Sequence, residues 1–209
     1  MRNLIEPLGA KNMEINKYLF ALRNAHDYLV ARCREQTYSG DPKNISTFGQ
    51  DVKRSKVNLD GKNKPAMIGA AAQSRSELEN QLANIERLID ASVWARDNGA
   101  TTVMQSNPTT SSKGHDLTVS GSGGVFVFEI SDTIGKSSGK KIKKDLKTLF
   151  NCKCDYCRET HKSFLVVSEE ASVHLPKGSY KISKDNFVNA GQVDKVSEHS
   201  TTYIAEFYR

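Results

Sequence analysis

Apolar residues recur with helical spacing in three segments of this chain, and the pattern predicts three amphipathic helices. The segments span residues 13–36, 74–98 and 137–150. The second is the best defined, because a Ser-x-x-Glu capping box begins it and Gly99 follows its last apolar residue. Its apolar stripe consists of Leu78, Leu82, Ile85, Ile89 and Val93.

Short runs of β-branched and aromatic residues predict strands between and after the helices. Two of these runs, one opened by Asp116 and the other ended by Glu129, flank a turn rich in Ser and Gly and predict a hairpin. The order helix, strand, strand, strand, helix, strand predicts an α/β layered domain. The other strands are predicted at residues 101–105, 163–167, 180–183 and 201–207.

Length and charge narrow the class of protein. A chain of 209 residues can bury one sizeable core, and we expect a nuclease-like α/β domain over residues 71–209 with an N-terminal extension over residues 1–70. The net charge of +6 favours a polyanionic partner. No apolar run approaches the length of a membrane span, and no secretory signal follows Met1, so we expect a cytoplasmic protein with no membrane partner.

Two loops carry basic residues that could contact a nucleic-acid backbone. Residues 37–66 are polar and include Lys53, Arg54 and Lys56, and the polar segment before His115 includes Lys113. Lys and Arg neutralise phosphates in such contacts. The alternative is that these basic side chains are simply exposed to water on two surface loops.

Asp116 and Glu129 are the first candidates for chemistry. Crossing the predicted hairpin brings the two carboxylates towards the same end of the paired strands. A hard cation such as Mg²⁺ takes oxygen ligands and keeps several of its waters, so two carboxylates at one sheet end suit it. A metal held in this way can activate water and stabilise charge on a phosphate.

These residues resemble a known family. An acid, a hairpin, then Glu-x-Lys at the end of an apolar strand and a following helix is the pattern of the PD-(D/E)XK nucleases, which include many restriction endonucleases. The resemblance spans roughly residues 74–168. It implies a restriction-endonuclease-like core, a mixed sheet flanked by helices, with Mg²⁺ bound by Asp116, Glu129 and the main-chain carbonyl of Ile130. The chain departs from the pattern at Ser131, which stands where the family usually has Lys.

The helix after Glu129 could supply the missing cation. Lys141 and Lys144 lie about one turn apart near Asp145, so the three share a side of the predicted helix. A Lys that reached the acids would stabilise charge on the phosphate, with Asp145 holding it or joining the ligand set. The alternative is a solvated lysine face with an ion pair between Lys141 and Asp145.

A second candidate metal site follows that helix. Thiolate and imidazole groups bind Zn²⁺ well, and four such residues fall within ten positions. The spacing differs from that of a standard zinc finger, so the alternatives are a structural Zn²⁺ clip over residues 152–161 and a cluster of reduced thiols. The four residues are Cys152, Cys154, Cys157 and His161.

The resemblance implies a Mg²⁺-dependent endonuclease that hydrolyses phosphodiester bonds of double-stranded DNA, most like a type II restriction endonuclease. Cutting both strands symmetrically would then require a homodimer. Two alternatives remain open: a nuclease toxin or repair nuclease with the same core, and a non-catalytic nucleic-acid-binding protein on a degenerate nuclease fold, which Ser131 makes credible.

Overall fold

A computed structural model describes residues 12–39, 75–106, 115–131, 138–151 and 161–209. Within these ranges the strands are β1 (Met13–Glu14), β2 (Ala100–Ser106), β3 (Leu117–Gly121), β4 (Gly124–Ile130), β5 (His161–Ser168), β6 (Ser179–Lys181), β7 (Phe187–Lys195) and β8 (Thr202–Tyr208). They form one mixed eight-stranded sheet in the order β1-β2-β3-β4-β5-β8-β7-β6. Neighbouring strands are antiparallel except β4 and β5, which run parallel.

Helices pack against this sheet, and the three long helices fall in the segments where the spacing of apolar residues predicted them. This confirms the α/β class. None of the helices in the described ranges combines the length and the apolar character needed to cross a membrane. The helices are α1 (Ile15–Ser39), α2 (Arg75–Asp97), α3 (Ser138–Asn151) and the short α4 (Glu169–Ser172).

Two strands were not predicted from the sequence. β1 has only two residues, too few to show a pattern. β7 has nine residues, of which only Val188 is buried, and its pairing with β8 shifts register between Ala190 and Val193. A strand that buries one side chain and contains a register shift lacks the alternation of apolar and polar residues by which strands are recognised.

The sheet separates two apolar layers. The larger layer contains residues of α1 and α2 packed on side chains such as Phe126 and Phe128 of β4. The second contains residues of α3 packed on side chains such as Val127. Since successive side chains of a strand point to opposite faces, Glu129 and Ser131 belong to the α3 face, as Val127 does.

The β3–β4 hairpin sets the position of the two acids. Gly121 pairs with Gly124 across a two-residue turn, and Gly124 has a φ of 96°, which suits glycine. From this turn the register runs to the pair of Leu117 with Phe128. The next position along the hairpin sets Asp116 opposite Glu129.

The connection from β4 to β5 carries α3 over the same sheet end. β5 runs parallel to β4, with Glu129 beside Leu165, and the N–H of Ser131 donates to the carbonyl of Val166 at 2.8 Å. This last hydrogen bond extends the ladder one residue beyond β4. Glu129, Ile130 and Ser131 are therefore held in register with β5 by this ladder, which α3 covers.

The N-terminal helix is part of the same core. Ile15, Tyr18 and Leu22 of α1 are buried in the layer that contains α2 and β2. The hydroxyl of Tyr18 lies 2.5 Å from Oγ of Ser106, which in turn donates to the carbonyl of Asp116 at 3.3 Å. The described part of the N-terminal extension thus supports the chain at the acid.

Candidate active site

Asp116 is tied directly to the neighbouring strand. It lies one residue before β3, and its Oδ2 accepts a hydrogen bond from the main-chain N–H of Ile130 at 2.7 Å. The carboxylate thus bridges β3 and β4 at the sheet end. Because a main-chain donor holds it, its position depends on the hairpin register rather than on a flexible side-chain partner.

Glu129 is buried beside Asp116. Its Oε1 lies 2.9 Å from Nδ1 of His115, whose ring is fully buried. The side chains of Glu129 and Asp116 are also close enough to hydrogen-bond to each other. Two carboxyl groups and an imidazole are therefore packed together at this sheet end.

Burial shifts the pKa values of Asp116, Glu129 and His115 and so determines which of them are charged. Burial, with a further contribution from the charge of Glu129, raises the pKa of Asp116 to about 7. Burial and the charge of Asp145 raise the pKa of Glu129 to about 8, although Lys141 acts in the opposite direction. Burial lowers the pKa of His115 to about 4, so its ring is neutral at pH 7. The acids would ionise readily only if more positive charge entered the site.

Lys141 of α3 reaches this group. Its Nζ donates to the main-chain carbonyl of Ile130 at 3.0 Å and to Oδ2 of Asp145 at 2.6 Å. The Asp145 side chain is 7% exposed, whereas that of Lys141 is 36% exposed. A buried carboxylate thus holds a partly exposed ammonium group against the strand that carries Glu129.

Lys144, the second candidate on this helix, has an exposed side chain. Its carbonyl accepts a hydrogen bond from the hydroxyl of Thr148, as is common within helices. Of the two lysines named from the sequence, the structure therefore brings Lys141 to the acids and leaves Lys144 on the outer surface of α3.

Ser131 contributes a buried hydroxyl group. The residue is 1% exposed, and its Oγ has no hydrogen-bond partner among the described residues. The same holds for Oγ1 of Thr118, which lies on the α3 face of β3, two residues after Asp116. Buried hydroxyls normally have a partner, so these two groups are suited to bind water or a ligand oxygen.

The oxygen atoms of this site fit a hard divalent cation. Asp116, Glu129 and the carbonyl of Ile130 could hold Mg²⁺, which takes few protein ligands and retains waters. The raised pKa values indicate that the acids lack compensating positive charge, which such an ion would provide. No group of three or more His, Cys, Asp or Glu side chains suited to hold a metal ion occurs in the described ranges. Main-chain and water oxygens would therefore have to complete the shell.

Several predicted site residues lie outside the described residues. They include three cysteines of the candidate Zn²⁺ clip and all four basic loop residues, so these predictions stay open. His161 begins β5, but the position of its side chain is not described. The residues outside the described ranges are Cys152, Cys154, Cys157, Lys53, Arg54, Lys56 and Lys113.

His115 is the residue of this site that sequence reasoning did not select. A single His before a strand is usually unremarkable, and its contact with Glu129 depends on the hairpin register. Its position directly before Asp116 was the available signal.

Comparison of the chain with models of known families, with characterised proteins and with solved structures found no match.

Proposed function

We propose that this protein is a Mg²⁺-dependent endonuclease that hydrolyses phosphodiester bonds of double-stranded DNA, with a PD-(D/E)XK-like core. One observation carries the proposal: two adjacent carboxyl groups with raised pKa values, the half-buried Asp116 and the buried Glu129, lie beside the ammonium group of Lys141. Two acids and a lysine are the chemical groups of the family's motif. Here the lysine comes from α3 rather than from the position of Ser131.

The topology supports the same proposal. The elements α2, β2, β3, β4, α3 and β5 follow one another in the order expected of the family core. β2, β3 and β4 form an antiparallel meander, and β5 then joins β4 in parallel after the crossover through α3. Many proteins share α/β topologies, so the fold adds support only together with the acids.

Each residue has a separate role in the proposed reaction. Asp116, Glu129 and the carbonyl of Ile130 would hold Mg²⁺, which supplies the positive charge that activates water and offsets charge on the phosphate. The Lys141 ammonium group would stabilise the negative charge that develops on the phosphate oxygens, and Asp145 would keep it in position. The Ser131 hydroxyl could donate one hydrogen bond to water or to a phosphate oxygen.

The outer surface of α3 supports a nucleic-acid substrate. Four lysines of this helix are exposed, and Nζ of Lys143 also lies 6.0 Å from the centre of the Tyr180 ring. Since the same helix brings Lys141 to the acids, a phosphate backbone bound along these lysines would pass close to the site. The exposed lysines are Lys140, Lys143, Lys144 and Lys147.

Symmetric cleavage of both strands would require two copies of the site, so the proposal includes a homodimer. A nuclease toxin or repair nuclease would use the same residues. A non-catalytic nucleic-acid-binding protein is favoured by one observation, the absence of Lys at residue 131.

Incubation of the purified protein with supercoiled plasmid DNA, with Mg²⁺ or with EDTA, tests the proposal. We expect Mg²⁺-dependent nicking or linearisation. Discrete fragments would indicate a sequence-specific restriction enzyme, and a smear would indicate a toxin or repair nuclease. Binding of DNA without cleavage over a range of divalent ions would favour the non-catalytic alternative and refute the proposed activity.

A further inference from the structure

The main-chain carbonyl of Ile130 has one partner in the structure and a different partner in the proposed function. In the structure it accepts a hydrogen bond from Nζ of Lys141 at 3.0 Å. Under the proposed function, on which this inference rests, the same oxygen is a ligand of Mg²⁺. A carbonyl oxygen has two lone pairs, but Mg²⁺ binds oxygen at about 2.1 Å, so sharing would hold the two cations no more than about 5 Å apart. At that separation their like charges repel in this partly buried site.

We propose that Lys141 and the divalent ion bind the Ile130 carbonyl in alternation. Without metal, the Lys141 ammonium group donates a hydrogen bond to the Ile130 carbonyl oxygen and supplies part of the positive charge beside Asp116 and Glu129. Loading of the site requires Lys141 to release this oxygen. Asp145 remains its partner, because the 2.6 Å contact between Lys141 and Asp145 does not involve the carbonyl.

The exposure of the two side chains fits such an exchange. Asp145 is almost fully buried and lies on a helix packed against the sheet, so it is a fixed anchor. Lys141 is 36% exposed, which leaves its ammonium group a route away from the strand towards the surface where the phosphate would bind. The lysine would then become available to the substrate only after the metal site is filled.

This arrangement predicts that Lys141 weakens metal binding in the wild-type protein. Lys141→Met should therefore bind Mg²⁺ more tightly, by about tenfold, because a hydrogen bond to a charged group no longer has to be broken and a neighbouring cation is gone. Lys144→Met is the matched control. It removes the same charge from the same helix, but Lys144 lies on the outer surface, so its effect should stay within about twofold in screening salt.

A second variant separates competition for the carbonyl from the change of charge. Lys141→Met leaves Asp145 buried without its cation, which could impair folding. The double variant Lys141→Met/Asp145→Asn removes both charges, keeps the net charge of the wild type and frees the carbonyl. It should also bind Mg²⁺ more tightly than the wild type does.

The test is a titration of the full-length proteins without DNA. Calorimetry would measure Mg²⁺ binding, and the electron paramagnetic resonance signal of free Mn²⁺ would measure Mn²⁺ binding. Tighter binding by Lys141→Met and by the double variant, with Lys144→Met unchanged, is expected. Unchanged or weaker binding by the double variant, or an equal gain in Lys144→Met, would overturn the exchange while leaving the metal site itself in place. If the wild type bound neither ion at tens of millimolar, the proposed function would fail as well.

Discussion

Replacement of Asp116 by Asn tests whether the two acids of the site lack compensating positive charge. The Asn side chain keeps the shape of Asp and an oxygen that can accept from the N–H of Ile130, so the hairpin contact is retained. The variant differs in that residue 116 can no longer ionise. We therefore expect Asp116→Asn to be more stable than the wild type at pH 8.5 in EDTA.

The size of the effect follows from the pKa. Burial and the charge of Glu129 raise the pKa of Asp116 from 3.8 to about 7. Because a tenfold change in a protonation equilibrium corresponds to about 1.4 kcal/mol, ionised Asp116 would cost the fold at most roughly 4 kcal/mol. Imperfect packing of the Asn side chain would reduce the gain, so we expect roughly 2 to 4 kcal/mol, or about 5 to 10 °C in Tm.

The sign of the pH dependence follows from the direction of the shift. A carboxyl group whose folded-state pKa is raised stabilises the fold only while it is protonated there. That contribution is complete below pH 3.8 and is lost as the pH rises towards and through about 7. Relative to Asp116→Asn, the wild type should therefore lose stability between about pH 4 and 8 in EDTA.

Urea unfolding at several pH values, in EDTA and in Mg²⁺, would measure the effect. Asp185→Asn is a suitable control, because Asp185 is exposed. Mg²⁺ should stabilise the wild type and leave Asp116→Asn almost unaffected. A variant that is less stable than the wild type at pH 8.5, or that keeps the wild-type pH dependence, would refute the argument from buried charge.

Three further predictions concern other parts of the chain. Lys141→Ala should lower the single-turnover cleavage rate at saturating DNA at least tenfold, equivalent to about 1.4 kcal/mol, while Lys144→Ala keeps it; equal rates for both variants would exclude Lys141 as the cation. The double variant Lys143→Gln/Lys147→Gln should weaken DNA binding in EDTA and reduce the slope of log K against log salt by about one for each phosphate that is no longer neutralised. An unchanged slope would show that the outer face of α3 is not the surface that binds DNA. If the cysteine cluster binds structural Zn²⁺, metal analysis should find about one Zn per chain and Cys154→Ser should lower stability sharply; Zn-free protein that tolerates the change would indicate ordinary thiols.

The pairing of the two acids could be predicted from the sequence for a simple geometric reason. Gly121 and Gly124 close the hairpin, and Asp116 and Glu129 lie equally far from them along the two strands. In an antiparallel hairpin, residues that are equally far from the turn along the two strands pair with each other, so the two acids lie opposite each other. The helices were predictable on similar grounds, because apolar residues recur at helical spacing in each, and the described part of each helix buries apolar side chains such as Leu22 of α1, Leu88 of α2 and Leu146 of α3.

The choice between Lys141 and Lys144 could not be made from spacing. Both residues lie within a turn of Asp145, and the sequence does not specify how far α3 is rotated over the sheet. In the structure, burial of Ile142 and Leu146 turns Lys141 towards the strand and Lys144 outwards. The contact of His115 with Glu129 depends in the same way on packing rather than on local pattern.

The central claim is that Asp116 and Glu129 form a metal-dependent nuclease site, and a cleavage assay of charge-neutral variants tests it most directly. Supercoiled plasmid would be incubated in Mg²⁺ with the wild type, with Asp116→Asn and with Glu129→Gln, after unfolding curves had established that all three are folded. We predict cleavage by the wild type that EDTA abolishes, and no cleavage by either folded variant. Cleavage by either variant at the wild-type rate, or a wild type that cuts equally well in EDTA, would contradict the claim.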